Sequence, residues 1–263
     1  MIHEESRRGA WLVRFHGFAL KAAILLALWQ AYVTAFQPSP IGFPSPRAVA
    51  SAAWQIFERG FVDYGFLEHV WASLQRLLPA YAFALLFGLP AGYLMARARF
   101  FRRMFMPFIT LFRPLPSFAW LALIVVWLGF GEASKIAVVY VATATIITLG
   151  TMDAVVRVPP DYRDAAITLG ARGRRLVTRV VLPAALPQIL SSARVALTVG
   201  WGALIASELI AADAGIGVII IQSARFIRTD QTFVGLGLLA VVGGLTDRLM
   251  AALERRIVPW ANR

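Results

Sequence analysis

The sequence predicts an all-α, polytopic membrane protein. Three features carry that prediction: an apolar excess, nearly uncharged runs approaching bilayer length, and arginines concentrated in alternate connections. Hydrophobic residues make up 59% of the 263 and charged residues 15%, against roughly a quarter charged in soluble domains. A soluble fold could not hide that much apolar surface. Stretches such as 118–130 and 134–150, with their flanks, approach the ~20 residues that cross a bilayer core as helix.

Six spans are expected, at residues 18–36, 70–96, 105–130, 134–156, 189–211 and 233–253. Pro79, Pro90, Pro107, Pro114 and Pro116 fall inside them and can break helices, although neighbouring helices and water re-satisfy the freed backbone groups. The stretch after the polar residues 1–9 lacks a small-residue cleavage pattern, so the first span is read as retained. Between the first two spans, Pro38, Pro40, Pro44 and Pro46 favour extended backbone, and the amphipathic stretch 49–57 should lie as a helix on the outer surface. Between the last two, Gly215 and Gly217 beside isoleucines suggest an apolar re-entrant segment, tolerated only where protein buries it. The sequence shows no internal repeat and reads as a single membrane domain over 1–263, with a polar loop at 157–188.

The net charge of +12 would suggest nucleic acid in a soluble protein. Here the basic residues sit in short clusters between apolar segments, which is a topology signal. Arg7, Arg8 and Arg14, then Arg97, Arg99, Arg102 and Arg103, then Arg157, Arg163, Arg172, Arg174, Arg175 and Arg179, then Arg255 and Arg256 fall in one alternate set of connections. Both termini are therefore expected in the cytoplasm. No nucleic-acid partner is expected.

The residues for catalysis are missing. Cysteine is absent, and His3, His16 and His69 are too scattered for a paired metal motif. The two lysines, Lys21 and Lys135, follow Leu20 and Ser134, so no phosphate-cradling Gly-Lys-Ser/Thr loop exists. No enzyme activity, metal or cofactor is expected of this chain.

The loop at 157–188 is too polar to cross a membrane and too long for a turn. Pro159 and Pro160 stop the fourth span, Asp161 can cap a new helix, and Ala165, Ala166 and Leu169 share a face at helical spacing. Gly170 ends that helix. A second short helix is expected at about 172–181, basic on one side, with Pro183 and Pro187 at the entry to the fifth span. Such an element suits a protein partner, since small alanines allow close approach and an acid at a helix N-terminus can meet a basic group. It suits anionic headgroups equally well.

Asp164-Ala165-Ala166, then Gly170, then Val180-Val181-Leu182-Pro183 resembles the EAA motif of binding-protein-dependent ABC importer permeases, with Asp164 where that family usually has Glu. The remainder of the chain, including Phe112-Arg113-Pro114-Leu115-Pro116, 127–135 and 225–230, resembles the nitrate, sulfonate and taurine branch. The resemblance implies a type I ABC importer permease fold in a bacterial inner membrane. It also implies a homodimer, two cytoplasmic ATPase subunits, and an external solute-binding protein that delivers a small anionic solute. Asp164, Ala165, Ala166, Leu169, Gly170, Ala171, Leu182 and Pro183 would then meet the ATPase. The alternative is a secondary transporter or channel with no ATPase, although no midplane carboxylate pair appears for ion coupling.

Charges within or beside spans are candidate functional residues. Arg113 faces either a central pathway or, by snorkelling, the interface. Glu208 is a gate contact, an ion-pair partner or an outer cap, and Arg194 pairs or snorkels. Thr143, Trp120 and Trp201 are further pathway candidates, with Thr145, Thr148, Thr198 and Ser207. Threonine and serine in membrane helices also bond their own backbone.

Overall fold

The computed structural model describes residues 20–39, 41–112, 114–116 and 119–262. The helices in order are α1 (Leu20–Phe36), α2 (Pro46–Arg59), α3 (Phe66–Arg97), α4 (Arg99–Phe112), α5 (Ala119–Leu128), α6 (Glu132–Val156), α7 (Pro160–Thr168), a short α8 (Arg174–Leu176), a π-turn (Val177–Val181), α9 (Leu182–Ala211), α10 (Ile216–Arg225) and α11 (Thr229–Ile257). Among the described residues, four helical stretches are long and apolar enough to cross a membrane: Phe66–Arg97, Glu132–Val156, Arg174–Ile210 and Thr229–Ile257. They cover the expected second, fourth, fifth and sixth spans. Over the described part of the first, α1 is a shorter apolar helix. His3, His16, Arg7, Arg8, Arg14 and Arg113 lie outside the described residues.

The third expected span needs correction, because 105–130 is two helices, α4 and α5. Pro114 and Pro116 remove two donors within three residues, and each disfavours helical backbone just before it. Single prolines are tolerated: Pro79 and Pro90 sit inside α3, and Pro107 sits inside α4. Each removes one ladder hydrogen bond, and the helices continue through them.

The chain forms two compact units, one from 1–66 with 219–237 and one from 67–218 with 238–263. In the first, Trp29 packs on Phe43 and Phe233 at ring-centre distances of 5.9 and 5.5 Å, and its indole N–H donates to the Pro44 carbonyl at 3.1 Å. The surface helix expected at 49–57 is α2. It is opened by the Ser45 hydroxyl accepting from the Ala48 amide at 3.1 Å, with Pro46 at the first helical position. Ala52 and Ile56 are its buried face, while Trp54 and Phe57 are exposed.

The second unit centres on α6 against α9, with α3 beside them. Gly150 lets these two helices close, since a Cβ there would strike the Ser192 side chain, and Gly92 does the same for α3 against the Thr148 carbonyl of α6. Close approach of small residues is how helices associate where lipid competes for apolar surface. The Tyr81 hydroxyl adds a bond to the Ala193 carbonyl at 2.9 Å.

Candidate functional site

The polar loop folds as a helix held at its base and open at its tip. Pro160 occupies the first helical position of α7 and Pro159 the cap position. Asp161 therefore lies within the first turn, not at the cap as expected. The Arg163 guanidinium donates to the Val155 carbonyl at 2.8 Å, tying α7 to the end of α6. Beneath lies an apolar cluster of Ala154, Val155, Val158, Val181, Ala185 and Ile189. At the far end Gly170 has φ +84°, its N–H donates to Ile167 O (2.9 Å), and Ala171 N–H donates to Ala166 O (2.8 Å). This is a Schellman closure, which needs left-handed backbone at the glycine.

The motif residues divide by environment. Asp164, Ala165, Leu169 and Gly170 are exposed, Leu169 by 88%, whereas Ala166 is buried and Ala171, Leu182 and Pro183 are half-buried. Ile167 and Tyr162 are also exposed. The expected separate helix at 172–181 is instead continuous with the fifth span: Arg174–Ile210 runs as one helical stretch. Its π-turn bonds the Leu182 N–H to the Val177 carbonyl. Pro183 has no N–H to offer the Arg179 carbonyl, and a wider turn relieves that mismatch.

A cavity of about 750 Å³ opens among α4, α5, α6 and α9, with Phe112, Trp120, Thr145, Gln188, Ser191 and Ser192 in its wall. Trp120 meets Phe112 edge-on at 5.2 Å. Of the predicted pathway residues, Trp120 and Thr145 reach this cavity. Thr143 is fully buried and donates to the Val139 carbonyl at 2.8 Å. Trp201 is buried with its N–H on the Thr246 hydroxyl at 3.1 Å. Arg194 pairs: it reaches both Asp247 oxygens at 3.0 Å and Glu254 at 3.2 Å.

Glu208 sits elsewhere, at the centre of a buried ionic knot, 2% exposed. Its carboxylate accepts from Ser73 Oγ (2.7 Å), Arg76 Nη1 (2.9 Å) and the Gly217 amide (2.8 Å). Arg76 also donates to the Ala214 carbonyl at 2.6 Å and grips both oxygens of Glu132 at 2.5 and 3.0 Å. Lys135 reaches Glu132 at 2.7 Å. The backbone at 214–217 wraps this carboxylate closely, and a Cβ at Gly215 would collide with it. His69 Nδ1 lies 3.0 Å from both the amide and the carbonyl of Gly215. Sequence reasoning flagged Glu208 but missed Arg76 and the inward role of His69. The signal was there: His69, Ser73 and Arg76 fall at i, i+4 and i+7, a polar stripe inside an apolar span.

A helical membrane unit with a small, base-anchored helix on a connecting loop and a cavity walled by α6 and α9 is an architecture that suits a polytopic transport permease. Residues 84–259 match the family described as the binding-protein-dependent transport system inner membrane component, and the chain belongs to that family. It is 37% identical to the taurine transport system permease protein TauC of Escherichia coli K12, over 90% of this chain and 87% of that one. It is 27% identical to the nitrate import permease protein NrtB of a Synechocystis species, over 92% and 88%. Its fold is that of a chain in inward-facing structures of the MetNI methionine ABC transporter, with TM-score 0.64 and 22% identity, over 75% of this chain and 96% of that chain. The protein is thus a multi-pass membrane permease of the ABC import type.

Proposed function

We propose that this permease carries a small oxyanion-bearing solute of the sulfonate or nitrate kind, and that α7 is where separate cytoplasmic ATPases drive it. The solute class is supported by the relatives named for taurine and nitrate and by the cavity, where Gln188 and Ser191 offer neutral donors while the Thr145 and Ser192 hydroxyls donate to the Val141 and Gln188 carbonyls. Neutral donors can hold sulfonate or nitrate oxygens without trapping them as an ion pair would. In this reading two copies of the chain face each other across the passage, two ATPase subunits hydrolyse ATP, and an external binding protein delivers solute. Both termini lie in the cytoplasm, following the arginine bias. Thr143, Trp201 and Glu208, each buried on protein partners, are not needed as solute contacts, and Arg113 remains a candidate anion contact.

The observation that carries the coupling role is the contrast within α7. Its base is pinned by Arg163 and the cluster below, while Leu169 stands 88% exposed beside Ile167 on a rigid Schellman turn. A rigid helix presenting an apolar knob fits a socket on a protein partner. Replacing Leu169→Asp should leave the permease inserted, abolish copurification of the ATPase and reduce uptake to background. Undiminished copurification and uptake in that variant would overturn the assignment. Solute uptake by vesicles holding the permease alone would instead establish the secondary transporter or channel.

A further inference from the structure

We propose that α4 is a docking surface for the phosphate headgroups of anionic membrane phospholipid, and that bound lipid steadies one wall of the solute cavity. None of the fourteen residues of α4 is buried. Arg99, Arg102 and Arg103 stand at i, i+3 and i+4, so they share one face, with Met106 and Thr110 following on it. Phe101, Phe105, Phe108 and Phe112 fill the opposite face, and Phe101 and Phe105 stack in parallel at 6.4 Å. This separation of arginine from aromatic is the pattern of a helix lying at a membrane interface, apolar side in acyl chains and basic side among headgroups.

The basic face borders a shallow, open depression. A recess of about 840 Å³ is lined by Arg102, Arg103, Met106, Pro107, Thr110 and Leu111 among others, with no carboxylate in its wall. Arg76 and Arg194 in this chain are each matched by two carboxylates. Among the described residues, Arg102 and Arg103 have no ion-pair partner. Two adjacent guanidiniums with no counter-charge repel each other, and their planar forks match phosphate oxygens. A lipid fits better than a free anion because one occupant then brings a headgroup to the arginines and chains to Phe101 and Phe105, the start of the apolar face that lies outside the cavity lining. Phe108 and Phe112 also line the solute cavity. A lipid held at the first turns of α4 therefore fixes the position of the passage wall further along the same helix.

The test is retention of phosphatidylglycerol against phosphatidylcholine by the purified permease, read by native mass spectrometry after release from mixed micelles. No ATP or solute is present, so the result stands apart from the transport reading. Wild type should retain phosphatidylglycerol preferentially. Arg102→Gln with Arg103→Gln should weaken that retention about thirtyfold, roughly fivefold for each arginine. Arg102→Lys with Arg103→Lys, which keeps both charges, should retain most of it, and raised salt should release it from wild type. Equal retention by the wild type and the glutamine variant would overturn the proposal. So would retention in wild type that is insensitive to salt, or complete displacement by inorganic phosphate, which would mark a free-anion site.

Discussion

Replacing Arg76→Met tests the ionic knot most directly. The arginine side chain is 6% exposed and ties Glu208, Glu132 and the Ala214 carbonyl at once. Removing it strands the Glu208 carboxylate, whose side chain is fully buried, with only the Ser73 hydroxyl and the Gly217 amide as partners. Breaking a buried pair from one side costs about 3–5 kcal/mol. The Glu132 end adds little, because that side chain is 59% exposed. For a chain of this size the expected fall in melting temperature is on the order of 10 °C. Fluorescence-detected size exclusion of heated, detergent-solubilised permease measures it. Adding Glu208→Gln should recover part of the loss, since the amide keeps a hydrogen bond to Ser73 or Gly217 without a stranded charge. The double variant should then be more stable than the single changes added together by about 2 kcal/mol. An Arg76→Met melting temperature within about two degrees of wild type would refute this account of the knot.

Gly170→Val meets nothing within 4 Å but must hold φ +84°. It should cost about 1–2 kcal/mol of local strain, loosen the Schellman turn and cut uptake while the permease still inserts; uptake and ATP hydrolysis assayed together check it. Gly92→Val would drive a side chain into the Thr148 carbonyl and the Thr151 side chain, wedging α3 from α6, so the yield of monodisperse protein from membranes should collapse. Ser191→Trp fills the cavity from an exposed position and should reduce uptake more than tenfold with little change in melting temperature, on the scale of surface substitutions.

The membrane class and most of the span order were legible because hydropathy and arginine placement act locally and survive any rearrangement of helices. The loop's Schellman end was legible because Gly170 is a backbone requirement. The division at 114–116 was not, because each proline in the chain carries the same local signal. Pro79 and Pro90 leave α3 continuous, while the pair Pro114 and Pro116 coincides with a break. The ionic knot was hidden for another reason. Glu132, Glu208 and Arg76 are far apart in sequence, and a single charge reads equally well as a snorkelling end or a pathway group until its partner is placed. Thr143 and Trp201 were ambiguous in the same way, since a polar atom in a span signals only that some partner exists.

One helical stretch joins the two ends of the proposed mechanism. Arg174–Ile210 begins beside α7, passes the cavity at Gln188, Ser191 and Ser192, and ends near the knot through Glu208. The π-turn at Val177–Val181 interrupts it between the drive element and the cavity. A π-turn sets the phase of everything before it relative to everything after, because it holds more residues per turn than the α-helix. Pro183 favours the wider turn by withholding a donor from the Arg179 carbonyl. Pro183→Ala restores that donor and should stabilise the helix by about 1 kcal/mol, letting the turn tighten and turning α8 out of register with α9. Stability and coupling should therefore part: a raised melting temperature, with less solute moved per ATP hydrolysed in reconstituted vesicles. An unchanged ratio of solute to ATP in a stabilised variant would show that the phase of this turn plays no part in transmission from α7.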